Sequence, residues 1–568
     1  MDNPWYDHYE EGVPKTFTHP EIPIYQILEE TTRSFPDRTA IMFLGKQMTY
    51  QELDERVKRF ATAMRAMGVK EGDRVASLLP NCPQFPIAYY GVIRAGGIFV
   101  QMNPLNSEAE IHFQLADSGA ETVIVPDALD LPNKVRKGKR ETSVKWIINT
   151  SVKEYLPFPK NMLYPLVAKP PKFDRGEGVC FMRELLTTHP PSPPAVTPQQ
   201  DDVALLLYTG GTTGISKGCM LTHRNLVSNA IQCSLWFSKA ERGKEVFLSV
   251  LPFFHSYGMT TCLNLPVYLG ATMIILPRFE RDKLGAFLKN IEKMKPSIFM
   301  GVPAMYQAII NFPDVKKYDL TSIKFCISGA APLPVEVCER FEELTGGKLV
   351  EGYGLTETSP VTHANPLYGK RKVGSIGLPF PNTECQIANL ETGEGALPAG
   401  ETGELCIRGP QVMKGYWNNP EETEKCLKGG WLYTGDIAKV DEEGYFYIVD
   451  RKKDMIIIGG FNVYPRDIDE VLFRHPKVRD AVAVGIPDPY RGESVKAFVV
   501  LNEGETATEE EILAFCRDHL AKFKVPTTVE FRKELPKSMI GKILRKTLRE
   551  EEMRKQQASG SSTDSASS

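Results

Sequence analysis

Paired cysteines are missing from this chain. Its 11 cysteines stand singly, with no Cys-x-x-Cys spacing and no compact Cys/His cluster, and an odd number cannot all be bridged within one polypeptide. That pattern suits a reducing cytosol. Excess charge of either sign is missing too: 68 Lys and Arg against 71 Asp and Glu leave a net charge of −3, which gives no nucleic-acid footprint. The first residues, Met1-Asp-Asn-Pro-Trp-Tyr-Asp-His8, have neither a basic nor an apolar run, so no secretory signal is predicted and the expected location is cytoplasmic. From Val246 to Pro277 no Asp, Glu, Lys or Arg occurs, a length that could span a bilayer. Pro252, Gly258, Pro266 and Gly270 interrupt it, however, and His255 and Asn264 would have to enter hydrocarbon, so buried strands and helices around an apolar cavity are expected instead. The stretch from Tyr155 to Phe173 mixes Phe, Leu, Tyr and Pro with lysines. It fits interfacial docking and equally an irregular surface excursion, so peripheral contact at the inner membrane face stays open, as does a homodimer.

What is present is size and alternation. At 568 residues the chain exceeds what one hydrophobic core supports, so at least two packed bodies are expected. Helix-like Tyr50 to Met67, Phe85 to Ala95 and Glu108 to Ser118 alternate with strand-like Arg74 to Leu79, Gly97 to Met102 and Glu121 to Val125. Residues 150–200 degrade into a proline-dense connector in which no domain is read. Alternation resumes at Val203, and Gly403 to Arg408, Trp431 to Thr434 and Tyr445 to Asp450 read as short strands of a small β-rich part. The fold class is therefore α/β: a large N-terminal domain (1–450) of layered α/β subdomains plus a small β-rich subdomain, a 451–454 link, and a small α+β C-terminal domain (455–552). Residues 553–568, rich in Ser, Ala and Gly, are expected to be disordered.

The most informative segment is Leu207-Tyr-Thr-Gly-Gly-Thr-Thr-Gly-Ile-Ser-Lys-Gly-Cys-Met-Leu221, where an apolar run meets a loop dense in glycine and hydroxyls. Gly210, Gly211, Gly214 and Gly218 permit close backbone approach to anionic oxygens, Thr209, Thr212 and Thr213 add hydroxyl donors, and Lys217 supplies a cation. These residues predict a phosphate cradle. Lys217 sits between Ser216 and Gly218 rather than before Ser or Thr, which disfavours a Walker-type loop while keeping a nucleotide as ligand.

Further motifs follow in fixed order: Leu251-Pro-Phe-Phe-His-Ser-Tyr-Gly258, Ser328-Gly-Ala-Ala-Pro332, Glu351-Gly-Tyr-Gly-Leu-Thr-Glu-Thr358, Tyr433-Thr-Gly-Asp436, Asp450-Arg-Lys-Lys-Asp454, Gly459-Gly-Phe-Asn-Val-Tyr-Pro465 and Pro536-Lys-Ser-Met-Ile-Gly-Lys542. With the opening loop, this series resembles the adenylate-forming superfamily of acyl-CoA synthetases, peptide-synthetase adenylation domains and luciferases, most of all the bacterial long-chain fatty-acid CoA ligases. The resemblance implies a two-step reaction: a carboxylate and ATP give acyl-AMP and diphosphate, and CoA then displaces AMP, with Mg²⁺ as cofactor.

By the same resemblance, Thr209 to Lys217 would hold the outer phosphates, Thr356 the α-phosphate and Glu357 the Mg²⁺. Gly329, Ala330, Ala331, Gly352, Tyr353 and Gly354 would form the adenine slot, and Asp436 and Arg451 would bind the ribose. Lys542 would be the essential cation of adenylation, and Gly459 and Gly460 would line the CoA tunnel. Lys453 would be the hinge about which a mobile C-terminal domain rotates between half-reactions. His255 would stand beside the acyl carboxylate, with Phe254, Tyr257, Met259, Gly301, Val302, Met305 and Tyr306 as pocket walls. Met259 occupies the place where some long-chain relatives carry a tryptophan gate. Medium-chain, alicyclic or aromatic acids, the ATP-forming direction, delivery to a carrier protein or to oxygen, and an acyl-adenylate binder without turnover remain alternatives at this point.

Overall fold

The computed structural model describes residues 3–168, 176–209, 216–458, 461–488, 491–537 and 543–563. By internal packing the chain divides into two units: residues 1–385 with 407–432 and 443–445, and residues 386–406 with 433–442 and 446–568. This division does not fall at 451–454, because parts of the expected β-rich subdomain group with the C-terminal residues.

Two layered sheets make up the first unit. One has eight strands in the order Gly415–Tyr416, Lys217–Thr222, Val203–Thr209, Ile98–Gln101, Arg74–Ser77, Thr122–Pro126, Trp146–Thr150 and Val179–Phe181. Its central pairs are parallel, and nearly every residue of these strands is buried, as continuous apolar runs covered by helices require. The second runs Lys46–Thr49, Thr39–Phe43, Thr272–Ile275, Val246–Ser249, then through the single residue Ile298, bridged in parallel to Phe247 and Phe325, into Phe325–Ser328, Lys348–Gly354, Val361–Ala364 and Leu378–Pro379. The uncharged region thus breaks into the strands Val246–Ser249 and Thr272–Ile275 and short helical turns between them. Among the described residues, no helix is long and apolar enough to cross a membrane.

Helix ends follow local chemistry. Thr49 and Glu52 form a reciprocal capping box at the start of Tyr50–Ala66, and Ser107 and Glu110 do the same for Glu108–Ser118, which Gly119 stops in the left-handed conformation. The 150–200 connector is more structured than its prolines suggest. Val179–Phe181 adds the edge strand beside Trp146–Thr150, and the helix Met182–Thr188, with Met182 and Leu185 buried, packs on Tyr50–Ala66.

In the second unit, the antiparallel strands Val478–Asp488 and Gly492–Leu501 carry apolar residues through most of their middles, Lys496 being the charged exception that pairs with Glu530 and Glu552, so both faces are buried. Ala481, Ala483, Val495 and Ala497 meet Ile468, Leu472, Ile512 and Cys516 from the helices Pro465–Phe473 and Glu509–His519. Val482, Val484, Phe498 and Val500 meet Leu548 from the helix Arg545–Thr563 on the other face. That last helix runs through the residues expected to be disordered as far as Thr563, because Arg554, Lys555, Gln556, Gln557 and Ala558 continue helix-favouring composition past Met553.

Candidate active site

In place of a strand–loop–helix, the glycine-rich segment joins two antiparallel strands: Tyr208 pairs with Gly218 and Thr209 with Lys217, and the helix His223–Trp236 begins only after the second strand. This geometry agrees with the exclusion of a Walker-type loop. Gly210, Gly211, Thr212, Thr213 and Gly214 lie outside the described residues, as do Gly459, Gly460 and Lys542.

Lys217 closes the loop stem. Its backbone carbonyl accepts from the Thr209 hydroxyl at 3.5 Å, its ammonium pairs with Glu422, and it stands 5.3 Å from the centre of the Tyr416 ring. Hydrogen bonds from Lys217 and Lys425 hold the Glu422 carboxyl down at about 2. The adjoining strand carries the chain toward the Thr356–Thr358 turn, where Cys219 Sγ donates to the Thr356 carbonyl at 3.7 Å. Gly415–Tyr416 pairs with Met220 and Cys219 on the same strand, and this places the Tyr416 hydroxyl to donate to Glu357 Oε1 at 2.8 Å. Glu357 is therefore oriented by a phenol whose own pKa is raised, first by burial and then by the carboxylate.

The segments that carry Glu357 and Tyr416 are tied to a helix with an unusually polar buried face. On His223–Trp236, Asn229 donates to the Val361 carbonyl at 2.7 Å and accepts from the Val361 N–H at 3.0 Å, while Asn225 donates to the carbonyls of Pro410 and Val412. Satisfied amides of this kind fix the backbone that follows Glu357 and the backbone that precedes Tyr416, because leaving any of them unpaired would cost about 1–3 kcal/mol.

The acyl and adenine residues meet on the same framework. His255 caps a short helix, its ring accepting from the Tyr257 N–H at 3.3 Å, and Ser256 Oγ lies 3.2 Å from Thr356 Oγ1. The Tyr257 hydroxyl donates to the Ile327 carbonyl at 2.8 Å and reaches that of Gly301 at 3.2 Å. Gly329 N–H donates to the Gly301 carbonyl at 3.1 Å, and a Cβ at Gly329 would come within 3.0 Å of the Tyr257 ring. Thus Gly301, Tyr257 and Gly329 belong to one layer. Met259, Val302, Met305 and Tyr306 are buried beside it, and Phe254 is half-buried. Ala330 holds φ at 68°, a left-handed conformation that costs a non-glycine residue about 1–2 kcal/mol. Gly352 and Tyr353 pair with Ala364 and His363, and a Cβ at Gly354 would lie 2.0 Å from the Pro360 carbonyl oxygen, so only glycine fits there.

Within the second unit, Asp436 and Arg451 pair across two antiparallel strands and form an ion pair at 3.2 Å. Lys453 is exposed in the turn that follows. Asp450, buried before that turn, accepts from the Arg451 N–H at 2.6 Å and the Arg466 N–H at 2.8 Å, so one carboxylate holds both flanks of residues 451–466. Leu544 N–H donates to the Pro536 carbonyl at 2.8 Å, and Lys537 bridges Ile543, closing the stem on either side of the segment that carries Lys542. Sequence reasoning missed Ser256, Tyr416 and Glu422. Ser256 lay inside a quoted motif, and Gly415-Tyr416-Trp417 beside a glycine was the available signal for the second.

Models of two families match the chain: AMP-binding enzyme over residues 28–417 and AMP-binding enzyme C-terminal domain over 467–542. A long-chain-fatty-acid–CoA ligase of Bacillus subtilis (strain 168) is 49% identical over 560 residues, covering 97% of this chain and 98% of the relative. One from Escherichia coli O6:H1 is 39% identical over 562 residues, with the same coverage. The ATP-bound crystal structure of MatB from Rhodopseudomonas palustris superposes with a TM-score of 0.81 at 30% identity, covering 93% of this chain and 99% of that one. On these matches and the motif order, the chain belongs to the AMP-binding enzyme family, among its AMP-forming acyl-CoA synthetases.

Proposed function

We propose that the chain is a long-chain-fatty-acid CoA ligase that works through an acyl-adenylate. The observation that carries this reading is the meeting of the Lys217 stem, Thr356–Glu357, His255–Tyr257 and Gly329 within one unit, together with the substrate named for the relatives at 49% and 39% identity. A carboxylic acid is ionised at neutral pH and needs no base. Its oxygen attacks the α-phosphorus of ATP and diphosphate leaves; the CoA sulfur then attacks the acyl carbon and AMP leaves. The protein's task is alignment and charge stabilisation. The loop from Thr209 to Lys217 would hold the outer phosphates, with Lys217 exchanging Glu422 for phosphate oxygen. Thr356 would face the α-phosphate, and Gly329, Ala330, Ala331, Gly352, Tyr353 and Gly354 the adenine. Glu357, a carboxylate steered by Tyr416, offers the oxygen donor a hard cation takes. Mg²⁺ held there would neutralise phosphate charge. Asp436 and Arg451 would bind the ribose. Lys542 would serve adenylation, Gly459 and Gly460 the CoA arm, and a rotation about Lys453 would exchange them.

The test is diphosphate release across carboxylic acids of graded chain length, with AMP release following only when CoA is added. Long-chain acids are expected to give the highest kcat/KM; preference for an aromatic acid would overturn the substrate assignment. Lys542→Ala is expected to slow adenylation by at least ~100-fold while sparing thioester formation from supplied acyl-AMP. Equal loss of both would remove Lys542 from its role.

A further inference from the structure

Beside the residues assigned to the adenine lies a buried histidine. His363 stands directly opposite Tyr353 on the antiparallel strand Val361–Ala364, so the two side chains share one face of the sheet. Their ring centres are 5.8 Å apart and the planes are inclined at 69°, an edge-to-face arrangement. His363 is fully buried and Tyr353 half-buried, so the imidazole supports a ring that is itself partly uncovered.

Burial lowers the imidazole pKa to about 3, so the ring is neutral and carries a single proton. Both nitrogens are engaged: Nδ1 lies 2.8 Å from Thr362 Oγ1, and Nε2 lies 3.5 Å from Cys385 Sγ. Thr362, also fully buried, donates its hydroxyl proton to the Tyr353 carbonyl at 3.4 Å. Its oxygen is then left to accept from Nδ1, which places the imidazole proton there and makes Nε2 the acceptor of the Cys385 thiol. One directed chain of hydrogen bonds therefore runs from Cys385 through His363 and Thr362 to Tyr353. A phenylalanine would fill the same space without that chain. What the imidazole adds is orientation, because a ring held at both nitrogens cannot turn without breaking a bond that is costly to lose in the interior. Tyr353 is met twice by this arrangement, at its backbone carbonyl and at its ring.

The geometry points to His363 as a positioning residue for nucleotide binding: held by Thr362 and Cys385, it fixes the Tyr353 ring in the pose that receives the nucleobase. This role rests on the reading that Tyr353 faces the adenine. It is tested by a double-mutant cycle on the full chain, read as KM for ATP and kcat of acid-dependent diphosphate release, with a thermal melt of each variant. His363→Leu is expected to raise KM for ATP by ~5-fold while kcat at saturating ATP is retained. Tyr353→Ala, which removes the stacking ring, is expected to raise it by ~10-fold or more. With the tyrosine gone, adding His363→Leu is expected to change KM by less than ~2-fold, since its effect passes through that ring. A histidine that serves only the fold would cost the same factor in both backgrounds. If Tyr353→Ala raises KM while His363→Leu leaves it unchanged, or costs the same factor with and without the tyrosine, the positioning role is overturned and the adenine assignment stands. If Tyr353→Ala leaves KM unchanged, the adenine assignment itself falls and the role of His363 falls with it. Should His363→Leu melt well below wild type, Cys385 decides. Cys385→Ala, which removes the donor to Nε2, is expected to raise KM for ATP by ~2-fold or more, and Cys385→Ser, which keeps a donor, to relieve the rise. No rise with alanine, or one that serine does not relieve, overturns the proposal.

Discussion

Glu422→Gln is expected to tighten ATP binding. The Lys217 ammonium is held by the Glu422 carboxylate, with the two side chains 11% and 24% exposed. Lys217 and Lys425 hold that carboxyl at about 2. A depressed carboxyl pKa means the pair is formed above the ordinary value near 4.5 and is lost only as pH falls toward 2, so it is intact throughout the neutral range. A phosphate reaching Lys217 must therefore displace a carboxylate. A pair of this partial burial is worth about 1 kcal/mol, the upper end for solvent-accessible pairs. The amide keeps the size of the side chain while removing the competitor, and at about 1.4 kcal/mol per tenfold this becomes a roughly fivefold fall in KM for ATP. Loss of a negative charge beside a polyphosphate acts in the same direction. Initial rates of diphosphate release with ATP varied at saturating acid measure it. A KM that rises or stays unchanged, with kcat retained, would refute the reasoning, since Lys217 would then not be exchanging one anion for another.

Tyr416→Phe removes the hydroxyl that donates to Glu357 Oε1; a hydrogen bond to a charged group is worth about 1.5–3 kcal/mol, so adenylation is expected to slow by roughly 10-fold or more and the Mg²⁺ concentration for half-maximal rate to rise. Asp469→Ala leaves the half-buried Arg545 guanidinium without its main partner and the buried Ala483 N–H without its acceptor at 2.6 Å, and is expected to destabilise the second unit by about 3 kcal/mol in urea denaturation. Glu154 has its carboxyl raised to about 7, chiefly by burial. A raised carboxyl pKa means full stability below about 4.5 and a loss as pH rises through 7, so Glu154→Gln is expected to raise the melting temperature at pH 8, by at most about 3 kcal/mol of stability, and to leave it unchanged near pH 4.5. An equal shift at both pH values would count against it.

Much of the architecture was legible because local signals were complete. Glu108–Ser118 begins at a capping box and ends at a glycine in the left-handed conformation, and its predicted bounds coincide with those observed. The edge strand Val179–Phe181 was missed because three half-buried residues amid prolines carry no periodicity; only pairing with Trp146–Thr150 defines it. The end of the chain misled in the opposite direction, since small residues hid a helix already started by Arg545 to Lys555.

The candidate site divides in the same way. Lys217, Thr356 and Glu357 could be singled out because their chemistry sits in short motifs. Their partners could not: Tyr416 is 59 residues from Glu357, and Glu422 is 205 residues from Lys217. Strand pairing between Gly415–Tyr416 and the Lys217–Thr222 strand creates both contacts, and no linear pattern announces it. The domain boundary was likewise drawn at the charged 451–454 turn, whereas packing assigns residues 386–406 and 433–442 to the C-terminal unit.

The central claim is that one cleft joins an ionised acid to AMP before any thiol is involved. Exchange of labelled diphosphate into ATP, measured with Mg²⁺ and a long-chain acid but no CoA, tests it most directly. Exchange that requires the acid, proceeds without CoA and falls at least ~100-fold in Lys542→Ala is the predicted result. Exchange absent with every acid offered, or present only when CoA is added, would contradict it.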